Sequence, residues 1–147
     1  MAELKTKATK NSALKFLNSI KPEEKRTDGL TLLKLFKKGT GQQAVMWGTS
    51  IVGFGQFHYK SQKSSQEGDW PVISFSPRAQ SLTLYILGGI KMDPLLAKLG
   101  KHKTSGGSMG GCLYINKLSD VNEKVLALLI KKSYVAKKKM YAKMFPK

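Results

Sequence analysis

Apolar positions recur at helical spacing near the start of the chain. Ser12 precedes Leu14, Leu17 and Ile20, with Phe16 beside them, which predicts a short helix capped by Ser12. Pro22 suits the first turn of a second helix, and Glu23 and Glu24 complement its positive end. Leu30, Leu33 and Phe36 form the stripe of that helix, widened by Leu32 and Leu35. Lys37 and Lys38 sit near its negative end, and Gly39 is the expected stop. The period then changes to two. Residues 51–59 read as one strand, with Val52, Phe54, Gln56 and His58 on one face and Ile51, Gly53, Gly55, Phe57 and Tyr59 on the other. Its interior glycines suggest a bulge or a close backbone approach. Polar residues 60–69 read as a hairpin loop, 70–75 as a second strand ended by Ser76-Pro77-Arg78, and 82–87 as a third. Successive strands with short connections predict an antiparallel meander.

Asp93 and Pro94 open a short helix that Gly100 ends. Residues 106–111 read as a glycine-rich loop and 112–115 as a fourth strand. Asp120 and Glu123 have capping-box spacing, and Val121, Val125, Leu128 and Leu129 are the predicted buried stripe of the helix that follows. Residues 133–147 read as its continuation. Ala136, Met140 and Met144 recur at i+4 with Tyr141 and Phe145 alongside, and Lys137, Lys138, Lys139 and Lys143 take the other positions. An inward-packed helix with a solvated lysine face is the preferred reading. The alternative is a basic amphipathic segment that meets an anionic membrane, an acidic partner or nucleic acid.

Composition narrows the class. The 147 residues suit one domain, divided here into a basic N-terminus (1–11), a folded domain (12–133) and a basic amphipathic extension (134–147). With 41% hydrophobic residues the chain is no disordered polyelectrolyte. Cys112 is the single cysteine, so no intrachain disulfide forms, and a reducing, cytoplasmic setting is expected. The first residues lack an apolar core, so no secretory signal is expected, and the run 125–130 is too short to span a membrane. The net charge is +17, from 26 cations and 9 acids. Residues 1–43 hold ten cations and four acids, 44–120 eight and four, and 121–147 eight and one, for nets of +6, +4 and +7. An excess at the ends suggests faces that meet a polyanion, or a lysine surface that keeps the protein in solution. Only Arg26 and Arg78 are arginines, which weakens a nucleic-acid reading, because phosphate and base readers favour the bidentate guanidinium.

A series of short motifs runs through the chain in order: Met46-Trp47-Gly48, Ile51-Val52-Gly53-Phe54-Gly55, His58-Tyr59-Lys60, Glu67-Gly68-Asp69-Trp70, Phe75-Ser76-Pro77-Arg78, Leu82-Thr83-Leu84-Tyr85, Leu99-Gly100-Lys101-His102-Lys103-Thr104 and Cys112-Leu113-Tyr114-Ile115. Over residues 12–133 this series resembles the YdhG-like family, a domain of unknown function. The resemblance implies an α+β, frataxin-like fold: an antiparallel sheet of about five strands with N-terminal and C-terminal helices packed on one face. It also implies iron binding and delivery, as described for some relatives. Iron favours carboxylates, whereas Glu23, Glu24 and Asp28 stand here among seven cations between Lys15 and Lys38. The segment between Thr104 and Cys112 is longer than the family's short turn and lacks its lysine, and Gln66 stands where the family usually has Arg.

No metal-ligand spacing links His58, His102 and Cys112, and no paired carboxylates, nucleophile elbow or P-loop can be placed, so no catalytic residue, metal ligand or resident cofactor is assigned. The candidate ligand-binding residues are Trp47, His58, Arg78, Tyr85, Lys101, His102 and Lys103. Aromatic rings beside one Arg suit stacking and a bidentate contact, and the lysines beside His102 lie on a connection. Packing is the alternative for Trp47, Trp70 and His58. The expected partner is an anionic small ligand or an acidic protein, ahead of iron by resemblance and nucleic acid through the lysine-rich ends. Oligomeric state is not legible.

Overall fold

The computed structural model describes residues 8–60, 67–87, 93–105 and 111–144. The segments 1–7, 61–66 and 106–110, and Phe145, to which the sequence reading assigns an N-terminus, a loop, glycines and a stripe residue, lie outside them. The fold is α+β. Nine strands are described: β1 Ala8–Thr9, β2 Ala44–Trp47, β3 Ile51–Phe54, β4 Phe57–Lys60, β5 Glu67–Trp70, β6 Ile73–Pro77, β7 Leu82–Leu87, β8 Lys103–Ser105 and β9 Gly111–Ile115. The helices are α1 Ala13–Asn18, α2 Glu23–Thr40, α3 Asp93–Leu99 and α4 Glu123–Met144. Seven strands form an antiparallel sheet in the order β1-β2-β3-β6-β7-β9-β8. β4 and β5 pair separately.

α2 and α4 lie together on one face of the sheet. Gly39 permits their contact, since a Cβ there would meet Ile130 Cγ2 at 3.1 Å. Gly39 is therefore a packing residue, and the stop falls at Gly41, whose φ of 69° needs no Cβ. Leu32 and Phe36 are fully buried, while Leu30 and Leu33 are only partly so. Phe36 stacks on Phe54 and meets Phe75 at a tilt, at centroid distances of 5.1 and 5.0 Å, placing the core between α2 and β3–β6. Leu82, Leu84, Leu113 and Ile115 complete that face in the expected alternation.

The single strand expected over 51–59 is two. β3 and β4 flank Gly55, whose φ of 73° breaks the extended backbone. Val52↔Phe75 to Phe54↔Ile73 and Phe57↔Trp70 to Lys60↔Glu67 nevertheless share one register, because two residues on each side (Gly55-Gln56 and Pro71-Val72) separate them. β3–β4 and β5–β6 are thus one long hairpin bent in the middle. Trp70 ends β5 rather than opening the next strand, and β6 runs on through Pro77.

The helix before the C-terminus also differs from expectation. Asn122, not Asp120, caps α4: its Oδ1 accepts from the amides of Lys124 and Val125 at 2.9 and 3.2 Å. Asp120 belongs to a single 3₁₀ turn over residues 118–120. The buried line is Leu126, Leu129, Ile130, Ser133, Tyr134 and Lys137. Val125 is only partly buried, and Leu128 points outward at 47% exposure. α4 continues unbroken past residue 133 and packs inward, but through Tyr134, Lys137 and Tyr141 rather than Ala136, Met140 and Met144.

Candidate functional site

Alternation along the strands sorts the candidate residues by face. Directly paired residues share a face, so the rows Trp47–Ile51, Gly53–Ser74–Tyr85 and Ser76–Thr83–Tyr114–Lys103 lie opposite the helices. Ser74, Ser76 and Thr83 are short and buried on that face, while Tyr85 and Tyr114 are half-buried and Lys103 is exposed. Each phenol is held by a neighbour. Arg78 Nη2 donates to Tyr85 Oη at 3.0 Å, and Tyr114 Oη and Ser105 Oγ are 2.8 Å apart. The turn that carries Arg78 is clamped from α2, where Lys25 Nζ donates to the carbonyls of Arg78 and Ala79. Tyr85 and Lys103 stand two strands apart and two residues out of register, about 12 Å.

Lys101, His102 and Lys103 are positioned by the end of α3. Asn122 N donates to Leu99 O at 2.7 Å and Lys101 N to Asp120 O at 3.2 Å, which ties this connection to the segment before α4. His102 Nδ1 lies 2.7 Å from Gly100 O. A carbonyl only accepts, so Nδ1 carries a proton and donates it here. Lys103 begins β8, a three-residue polar edge strand where the sequence reading has only a connection.

Trp47 and His58 stand apart from this group. Trp47 is 1% exposed, three strands from Tyr85, and packs against Trp70 at 6.3 Å between centroids. A Cβ on Gly53 would come within 2.5 Å of its indole, so the glycine is the floor on which the ring lies. Its Nε1 is buried and finds no acceptor among the described residues. His58 is exposed and faces Asp69 across the β4–β5 pair, Nδ1 to Oδ1 3.2 Å.

One functional group escapes the sequence reading. Lys137, expected on the solvated lysine face, is 4% exposed on the inner side of α4. Burial pushes its pKa from 10.5 down to about 8, a fall that the electrostatic interaction with nearby Cys112 partly opposes. Its Nζ lies 6.0 Å from the centre of the Tyr141 ring, which stacks on Phe57 at 3.8 Å and 12°. Burial raises the Tyr141 phenol above its ordinary value. The signal was present: residues 126, 130, 133/134, 137 and 141 continue one helical line. Cys112 is half-buried and free.

No group of three or more His, Cys, Asp or Glu side chains converges among the described residues, and Asp28 accepts from the Leu118 amide at 3.0 Å. Among the described residues no helix is long and apolar enough to cross a membrane. No family model, curated protein or solved structure matches the chain.

Proposed function

We propose that the chain is a cytoplasmic, non-enzymatic binding module of the YdhG-like, frataxin-like type, and that its ligand is anionic. The ligand is a small anion, or the carboxylates of an acidic partner, bound on the sheet face opposite the helices. The observation that carries this reading is the Arg78–Tyr85 hydrogen bond, with Tyr114 one strand and Lys103 two strands from Tyr85 on the same sheet face. The guanidinium keeps four further N–H donors, and its turn is held in place by Lys25, so little order is lost on binding. Lys103 adds exposed positive charge to the same sheet face from β8, three strands from β6, and Lys101 lies two residues before it. Iron delivery, the alternative, rests on the resemblance alone.

Calorimetric titration with pyrophosphate, with citrate and with an oligo-glutamate peptide tests the reading and separates the small anions from the acidic partner. Saturable binding that Arg78→Ala and Lys103→Ala each weaken about tenfold is the expected result. Binding untouched by Arg78→Ala and Lys101→Ala would remove this site.

A further inference from the structure

The outward side of α4 carries a second pattern that the sheet-face site does not use. At about 100° per residue, Leu128 and Val135 fall within about 20° of one line along the helix. Both are 47% exposed; Met144, the other exposed large hydrophobic of this helix, lies at its C-terminal end away from that line. Lys131 and Lys138 flank that line on one side, Lys132 and Lys139 on the other, each pair seven residues apart. All four lysines are exposed, and none forms an ion pair with a carboxylate among the described residues. α4 holds seven lysines and a single acid, Glu123. The surface is therefore an apolar seam between two unneutralised basic rails with heptad spacing.

We propose that this face docks an acidic amphipathic helix of a partner protein, its apolar side chains on Leu128 and Val135 and its carboxylates along the lysine rails. Charge complementarity and the seam together select this occupant. A second copy of the chain would bring lysine rails against lysine rails. A nucleic-acid backbone would place hydrated phosphates over Leu128 and Val135, and gain nothing from them. A membrane-bound helix needs a broad apolar face, and two side chains supply a narrow one. An acidic helix uses both features, as the core and flanking positions of a coiled coil do. α4 is separated from the Arg78 group by the sheet, so the two sites stand or fall independently.

The full chain is titrated into a labelled, designed helix of about three heptads with leucine on one face and glutamate beside it. A peptide of the same composition in permuted order, a DNA duplex and phosphatidylserine vesicles are run in parallel, at low and at physiological ionic strength. The designed helix is expected to bind best. Leu128→Ser with Val135→Ser should weaken it about fivefold with the salt dependence unchanged. Lys131→Glu with Lys138→Glu should weaken it about tenfold or more and flatten the salt dependence. All four positions are exposed, and circular dichroism checks that the variants fold. No binding of the designed helix, equal binding of the permuted peptide, an apolar double variant that binds like the parent, or tighter binding of duplex or vesicles would each overturn the proposal.

Discussion

A lysine held at 4% exposure with no carboxylate partner among the described residues costs stability whenever it is charged. The groups near Lys137 are Tyr141 on its own helix and Cys112 on β9. Its pKa falls from 10.5 to about 8 on folding. Below pH 8 both states bind the proton, and the penalty is complete. Between pH 8 and 10.5 the unfolded chain holds more protons than the native one, so the Lys137 contribution makes stability rise with pH. Lys137→Met keeps the aliphatic stem and removes the charge. It is expected to stabilise the fold at pH 7 by about 1–3 kcal/mol, with the gap to the parent closing by pH 10.5. Tyr141 works in the opposite direction above pH 10, but it is present in both chains and cancels in the difference. Urea unfolding of the two proteins at stepped pH measures this, and a gap that does not change with pH would refute it.

Elements were legible in proportion to how local their signals are. The Ser12 cap, the run of α2, the alternation of β7 and the Gly100 stop all follow from residues within one turn of each other. β8 was not legible, because Lys-Thr-Ser has no apolar alternation and becomes a strand only through its ladder to β9. The phase of α4 was misread for a related reason. Its first turns are apolar nearly all round, so the buried line is settled further on, by Ser133 and Lys137, two polar residues that a pattern reading sends to solvent. Ser133 is buried because its hydroxyl donates to Ile86 O, in the stretch where the β7–β9 register shifts. The bend at Gly55 is likewise fixed from outside the strand: a Cβ there would approach Tyr134 Cε1 at 2.9 Å. Beyond the bend, the β4–β5 end of the hairpin meets α4 through Phe57 on Tyr141. Tyr141→Ala should therefore raise amide hydrogen exchange in β4 and β5 by about tenfold or more while leaving β6 and β7 close to the parent rates. Uniform acceleration across the sheet, or none, would show that the hairpin is not held by this stack.

At the scale of the molecule, the +17 is concentrated rather than diffuse, and the structure gathers part of it. The C-terminal segment becomes α4, and α2, which carries exposed Lys34, Lys37 and Lys38, lies beside it on the same face of the sheet. The cations that the sequence separates at its two ends thus share one helical layer. The only acid–base side-chain contact between described residues is His58–Asp69 on the β4–β5 pair, an ion pair only when the imidazole is protonated, so no carboxylate of the described residues neutralises that layer's lysines. Like charges held within about one Debye length (8 Å at physiological ionic strength) repel more in the compact chain than in the expanded one. Salt screens that difference, so the melting temperature should rise by several degrees as NaCl increases from about 10 to about 300 mM. Salt also strengthens apolar burial in general, which a variant separates. Replacing Lys131, Lys132, Lys138 and Lys139 together by Gln leaves the core untouched and removes four charges from the layer. Its melting temperature should be higher than the parent's at low salt and should depend less on added NaCl. A variant with the parent's salt response would mean that the helical layer is not where the charge acts, and a parent whose melting temperature is flat or falls with salt would mean that the net charge places no strain on the fold.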